Sequence, residues 1–203
     1  MTRSLVILLH GVGSCGADLA PLGELWAAAL PTTDFAAPDG PFAFDQGSDG
    51  RQWFSIRGVT EENRAARVVE ARAAFDRILT ETAAAHGLAD HPERVALVGF
   101  SQGSIMALDG LASGRWPVAG VVAFSGRLAS PEPFAPPAGA RAVLIHGADD
   151  PIMPVETSAD AETRLKAAGV RVNRFVLPDL GHSISAKGVQ IAAGVLADML
   201  APA

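Results

Sequence analysis

The sequence predicts an α/β fold, a mostly parallel central sheet flanked by helices on both faces, and three observations predict it. Continuous apolar runs such as Leu5-Val6-Ile7-Leu8-Leu9 and Val95-Ala96-Leu97-Val98 are what strands buried on both faces require. These runs alternate with helix-permissive stretches, which favours parallel pairing through crossovers. Polar clusters, His10-Gly11-Val12, Ser101, Asp149-Asp150 and His182, each follow a different apolar run. In an open parallel sheet ligands bind beyond the carboxyl ends of the strands, which is where these clusters fall.

Size and composition bound the answer. At 203 residues the chain suffices for one domain, read as residues 1–203, with a sizeable core and no large inserted cap. Apolar residues make up 49% and charged ones 19%, which excludes disorder. The formal charge of −6, with 16 scattered basic residues, argues against nucleic acid as a partner. The one cysteine, Cys15, cannot staple the fold, so nothing points to an oxidising compartment. Leu5 to Leu9 is too short for a secretory signal or a membrane span, and Thr2 excludes N-myristoylation. The expectation is a soluble cytoplasmic protein without an integral membrane segment; a homodimer is left open.

Taken in order, Leu5 to Leu9 is the first strand and ends in a glycine-rich loop, His10 to Gly16. A helix is expected over Asp18 to Leu30, stopping before Pro31, and Asp34 to Ala37 is a strand candidate. Pro38 to Gly58 reads as irregular, with turn signals at Pro38-Asp39-Gly40-Pro41 and Gly47-Ser48-Asp49-Gly50, although its aromatic residues argue against disorder. Thr60 can cap a helix from about Glu61 to Ala85, with Asn63 at the capping-box position and Val68, Ala71, Phe75, Ile78 and Leu79 on one face. The strand Val95 to Phe100 is followed at once by a helix from Gln102 to about Ser113. Beyond it come a strand Val118 to Phe124, a proline-rich loop Ala129 to Ala138, and a strand Arg141 to Ile145. A helix Pro154 to Ala168 closed by Gly169, a strand Val170 to Leu177 and a helix Ser185 to Leu200 complete the chain.

The chemistry centres on Gly99-Phe100-Ser101-Gln102-Gly103. A strand that turns directly into a helix strains the joining residue, and its neighbours two positions away must be small. This nucleophile elbow would lift the Ser101 hydroxyl to the top of the sheet at a helix N-terminus, where developing negative charge is favoured. With 21 glycines in the chain the bare pentapeptide is weak support, so its context has to carry the reading. A serine hydroxyl needs a base to take its proton and a third group to orient that base. In α/β hydrolases these follow in the order Ser, Asp or Glu, His. Of five histidines only His182 lies beyond the last strand. Asp149 and Asp150 both follow the preceding strand; Asp150 is chosen because Pro151 restricts its backbone, and Asp179 is the weaker alternative. The oxyanion requires two N–H donors, expected from Gln102, which follows Ser101, and from Val12 in the first glycine-rich loop. His10 and His146, each before a glycine at a strand end, are expected to hold loops. Trp53, Phe54, Ile152 and Met153 are apolar residues near strand ends that could line an acyl groove.

Leu9-His10-Gly11-Val12-Gly13, Arg51-Gln52-Trp53-Phe54-Ser55-Ile56, Gly99-Phe100-Ser101-Gln102-Gly103, His146-Gly147-Ala148-Asp149-Asp150-Pro151 and Leu180-Gly181-His182-Ser183 stand in an order that resembles the phospholipase/carboxylesterase family. That group of small serine hydrolases includes bacterial carboxylesterases and acyl-protein thioesterases, and the resemblance covers about residues 5 to 200. It implies an α/β-hydrolase fold without a large cap. It also implies Ser101 as nucleophile, Asp150 as acid, His182 as base, and the amides of Val12 and Gln102 as oxyanion hole. Ser55 departs from the pattern, since members often carry aspartate after the Trp-Phe pair.

The expected activity is that of a metal-free, cofactor-free serine carboxylesterase acting on small-molecule carboxylic esters or thioesters with short to medium acyl chains. A lysophospholipase or acyl-protein thioesterase is the alternative within hydrolases. A non-catalytic ligand-binding protein on the same fold is the alternative from another class, because fold alone does not fix function. A dienelactone-type hydrolase would usually carry cysteine at the elbow, against which Ser101 counts.

Overall fold

A computed structural model of the chain describes residues 3–47 and 49–201; Thr2, and Ser48 within the Gly47 to Gly50 turn signal, lie outside the described residues. In chain order the elements begin with β1 (Ser4–Leu9), α1 (Gly16–Ala27), β2 (Thr33–Ala36), β3 (Phe42–Ala43), β4 (Arg51–Gln52) and α2 (Glu61–Ala85). They continue with β5 (Val95–Phe100), α3 (Gln102–Ala112), β6 (Gly120–Phe124), β7 (Arg141–Gly147), α4 (Glu156–Ala167), β8 (Arg171–Leu177) and α5 (Ala186–Met199). The α/β-hydrolase fold is seen in a six-stranded, wholly parallel sheet ordered β2-β1-β5-β6-β7-β8, with no cap among the described residues.

Strand alternation assigns the layers. Leu5, Ile7 and Leu9 join the core that holds Val68 and Phe75 of α2, Ile105 and Leu108 of α3, and Leu165 of α4. Val6 and Leu8 point the other way, into the core with Leu19 and Trp26 of α1 and Ala192 and Leu196 of α5. Successive side chains on a strand face opposite sides, so one continuous apolar run serves both layers. The direction of sheet growth reverses at β1: the chain first moves outward to β2, then crosses back to lay β5 on the other side. A crevice therefore opens between the carboxyl ends of β1 and β5, the switch point where ligands bind in such sheets.

The main departure from the sequence reading lies in Pro38 to Gly58. This stretch contains the antiparallel pair β3 and β4, with Phe42 opposite Gln52 and Ala43 opposite Arg51. Two-residue strands leave no periodicity to read. Elsewhere the differences are at ends: α1 starts two residues before Asp18, at Gly16, and β7 runs on to Gly147. Thr60 and Asn63 form a reciprocal cap, with Asn63 Oδ1 accepting the Thr60 N–H at 2.8 Å, so asparagine does the work of glutamate.

Helix α3 is buried along its whole length, which explains why it is apolar nearly all round. Its one charged residue, Asp109, has a side chain 0% exposed. Arg72 of α2 grips both oxygens, at 3.0 and 2.8 Å, and Arg115 adds a third bond at 2.9 Å while holding Asp76 through Nε and Nη2. Burial works to raise the Asp109 pKa, but the hydrogen bonds from Arg72 and Arg115 outweigh it and the net shift is downward. The network locks the elbow helix to α2. Asp109→Asn should therefore cost about 3–5 kcal/mol in urea unfolding at neutral pH, because Arg72 loses its counter-charge and Arg115 one of its two. Since the native pKa is depressed, this contribution is complete above the unfolded-state carboxylate range and is lost as pH falls through the native value. The stability difference between variant and wild type should thus narrow in acid.

Candidate active site

Ser101 joins β5 to α3 without an intervening residue, and its backbone sits at φ +52° and ψ −113°. Positive φ is costly for a residue with a Cβ, so the surroundings must enforce it. They do so from both sides. The Ser101 N–H donates to Phe124 O of β6 at 3.0 Å, and Ser101 O accepts the Ile105 N–H at 3.1 Å. A Cβ on Gly99 would stand 2.4 Å from Ser104 N, and one on Gly103 would stand 2.0 Å from Leu9 O. Neither position admits another residue, which is the physical content of the Gly-X-Ser-X-Gly spacing.

His182 lies in the loop between β8 and α5, and Asp150 in the loop after β7. The structure brings both to Ser101: His182 Nε2 is 3.0 Å from Ser101 Oγ, and His182 Nδ1 is 2.7 Å from Asp150 Oδ2. The other carboxylate oxygen, Oδ1, accepts the N–H groups of Ile152 at 2.9 Å and Met153 at 2.8 Å. Burial would raise the Asp150 pKa, yet the Met153 amide, the His182 ring and the Ile152 amide together hold it below its usual range. An ionised Asp150 accepts only, so the Nδ1 of His182 carries the proton and Nε2 is left to accept from the serine. The neighbouring Asp149 is exposed, its N–H donating to Leu180 O, and Asp179 is exposed as well. The sequence did not anticipate Phe100, whose ring packs on that of His182 with centroids 4.9 Å apart.

The glycine-rich loop after β1 presses on the elbow, since a Cβ built on Gly11 would lie 3.4 Å from Ser101 Cβ. Val12 and Gln102 line the same cavity as Ser101, and neither backbone N–H donates a hydrogen bond among the described residues. Two amides at a helix N-terminus and an adjacent loop make a fitting seat for an oxyanion. His10 fixes this loop from within: Nδ1 donates to Gly11 O at 2.7 Å, and Nε2 accepts the Gly40 N–H at 2.8 Å. Burial lowers the His10 pKa, in keeping with a neutral ring used as donor and acceptor at once. His146 holds the loop that carries Asp150, its Nε2 donating to Met153 O at 2.7 Å.

Trp53 is placed differently from the groove-lining role expected of it. Its side chain is 0% exposed, packed edge-on against Phe75 with Nε1 donating to His10 O at 2.9 Å, so it braces the site from the core. The Gln102 side chain completes the brace by accepting the Trp53 N–H and donating to Phe54 O, both at 2.7 Å. Ser55 donates to Asp45, which brings a carboxylate from across the loop beside the Trp53-Phe54 pair. Phe54, Ile152 and Met153 do line the cavity beside Ser101, about 240 Å³ in volume, together with Ile56, Val59, Ile105, Arg64 and Arg127. The two arginines were not singled out from sequence, because a lone basic residue in an α2 turn or after Ser125-Gly126 carries no periodic or motif signal. Among the described residues no three His, Cys, Asp or Glu side chains are grouped to hold a metal ion, and no helix is long and apolar enough to cross a membrane.

A family model described as Phospholipase/Carboxylesterase matches residues 1–200. Esterase YpfH of Escherichia coli (strain K12) is 34% identical over 94% of this chain and 80% of its own length. Acyl-protein thioesterase 1 of Gibberella zeae is 26% identical over 88% of this chain and 83% of its own length. The crystal structure of esterase PE8 superimposes with a TM-score of 0.87 at 35% identity, covering 98% of this chain and 94% of that one.

The Gln102 clamp gives a stability prediction. Gln102→Leu leaves the buried Trp53 N–H and Phe54 C=O without their partners, and should cost about 1–3 kcal/mol in equilibrium unfolding. The 38–58 segment should also become cleavable by limited proteolysis under conditions where the wild type resists.

Proposed function

The chain belongs to the phospholipase/carboxylesterase family, and we propose that it hydrolyses short- to medium-chain carboxylic esters, thioesters included, through an acyl-enzyme on Ser101. That it is a carboxylic ester hydrolase follows from the family and from relatives named as esterases and thioesterases. The observation that carries the finer reading is the unbroken relay from Ser101 Oγ through His182 to Asp150, at 3.0 and 2.7 Å.

In this reading His182 Nε2 takes the Ser101 hydroxyl proton as Oγ attacks the ester carbonyl. Asp150 stabilises the imidazolium that forms and keeps its Nδ1–H pointed away from the substrate. The negative oxygen of the tetrahedral intermediate lies between the Val12 and Gln102 amides. His182 then passes its proton to the departing alcohol or thiol, and water attacks the acyl-enzyme by the same route in reverse. Phe100 limits the tilt of the imidazole through ring contact.

The size of the cavity favours shorter acyl groups over the long chains of a lysophospholipase or protein depalmitoylase. At about 240 Å³, with Arg64 and Arg127 interrupting its apolar wall, it lacks a continuous hydrophobic channel. A panel of nitrophenyl esters and acyl thioesters of increasing length tests this: turnover should peak at short to medium chains, and a maximum at palmitoyl would favour the depalmitoylase reading. Ser101→Ala should lower kcat/KM by about 10³-fold or more while leaving the thermal midpoint near that of wild type. Failure of the wild-type protein to react with a fluorophosphonate would instead favour a binding protein without catalysis.

A further inference from the structure

Two guanidinium groups stand in the wall of the Ser101 cavity. Arg64, in the first turns of α2, and Arg127, just after β6, both line it, and among the described residues no carboxylate does. The same two residues line a neighbouring cavity of about 420 Å³, where Arg164 joins them but Glu61, Glu156 and Asp160 balance the charge. The pair thus forms the partition between a neutralised outer groove and an uncompensated inner one. Their shared counter-ion is Glu61, with Oε1 at 2.7 Å from Arg64 Nη1 and 2.8 Å from Arg127 Nη1, but its side chain is 74% exposed and turned to the outer groove. One carboxylate for two guanidiniums leaves a local charge of +1 in a protein whose net charge is −6. Burial and the nearby Arg127 lower the Arg64 pKa, and Glu61 does not make up the difference. The Arg127 fork is pre-set: Nε points to Met153 Sδ at 2.9 Å and Nη1 to Glu61, while Nη2 has no hydrogen-bond partner among the described residues. Apart from Ser101 and Gln102 the rest of the wall is apolar, Phe54, Ile56, Val59, Ile105, Ile152 and Met153 among it, and none of these carries a charge to balance a cation.

We propose that Arg64 and Arg127 form an anion subsite of the active centre, selecting esters that carry a carboxylate a short apolar span from the scissile carbonyl. The proposal rests on Ser101 being the nucleophile, as set out above. A carboxylate entering this cavity would complete the charge balance that Glu61 leaves half done, and a guanidinium fork suits its geometry. A neutral ester would leave the second guanidinium uncompensated, so discrimination should appear in kcat/KM.

The test compares mono-nitrophenyl glutarate with its methyl-capped ester, placing the charge on the acyl side, and carboxyphenyl butyrate with its methyl ester, placing it on the alcohol side. Wild-type protein should prefer the free carboxylate in one of these pairs by about tenfold, a preference that shrinks in high salt. Arg64→Gln and Arg127→Gln should each remove most of that preference. Arg164→Gln, altering a residue that lines only the outer groove, should leave the ratio where it was. Equal turnover of charged and neutral partners in both pairs would overturn the subsite, as would an equal loss of preference in Arg164→Gln. The two readings fail separately: hydrolysis of nitrophenyl butyrate without discrimination removes only the subsite, whereas no hydrolysis of any ester removes the esterase reading with it.

Discussion

The backbone of Ser101 is the constraint on which the rest of the site depends. Its positive φ is held by a hydrogen bond into β6, by the first turn of α3, and by two glycines packed against backbone atoms of β1 and α3. Each of those supports is a core feature, so the strain is borne by the part of the molecule least able to relax. The helix it launches is wholly buried and tied to α2 through Asp109, Arg72 and Arg115. Stability and chemistry meet at this helix: what holds α3 in place also aims the Ser101 hydroxyl.

From that fixed point the sheet order explains how distant residues converge. The strand ends of β1 and β5 flank the switch point, which places the Val12 loop against the elbow. Strand β7 lies two positions from β5 and β8 three, and their following loops carry Asp150 and His182 back over the sheet. Four strand tips contribute one group each. Because the groups ride on rigid strands rather than on one loop, their spacing is set by interstrand distance and twist, not by local sequence.

Much of this was legible beforehand, and the reasons are physical. The doubly buried strands show as unbroken apolar runs, and the elbow glycines show because no other residue fits where a Cβ would strike Leu9 O or Ser104 N. Asp150 was separable from Asp149 by its proline neighbour, and in the structure Asp150 is buried against His182 while Asp149 is exposed. What could not be read was pairing over short spans and the direction of single side chains. β3 and β4 are two residues each, below any detectable period. Trp53 looks from sequence like a groove residue because large apolar side chains in a loop suggest a ligand surface, yet its indole N–H finds a partner in His10 O inside the core. Arg64 and Arg127 come from different elements and meet only in the folded chain.

Met153 ties this corner of the cavity to the Asp150 loop. Met153 donates its N–H to Asp150, gives its carbonyl to His146, and places its sulfur against Arg127 Nε. One residue therefore belongs both to the support of the Asp150 carboxylate and to the wall of the cavity. Ile152, beside it, is 67% exposed at the mouth while its amide also holds Asp150. The two residues that line the cavity from this side, Ile152 and Met153, are thus the same two whose amides hold Asp150 Oδ1. With no cap among the described residues, this short loop is where the wall of the pocket and the support of Asp150 are one structure.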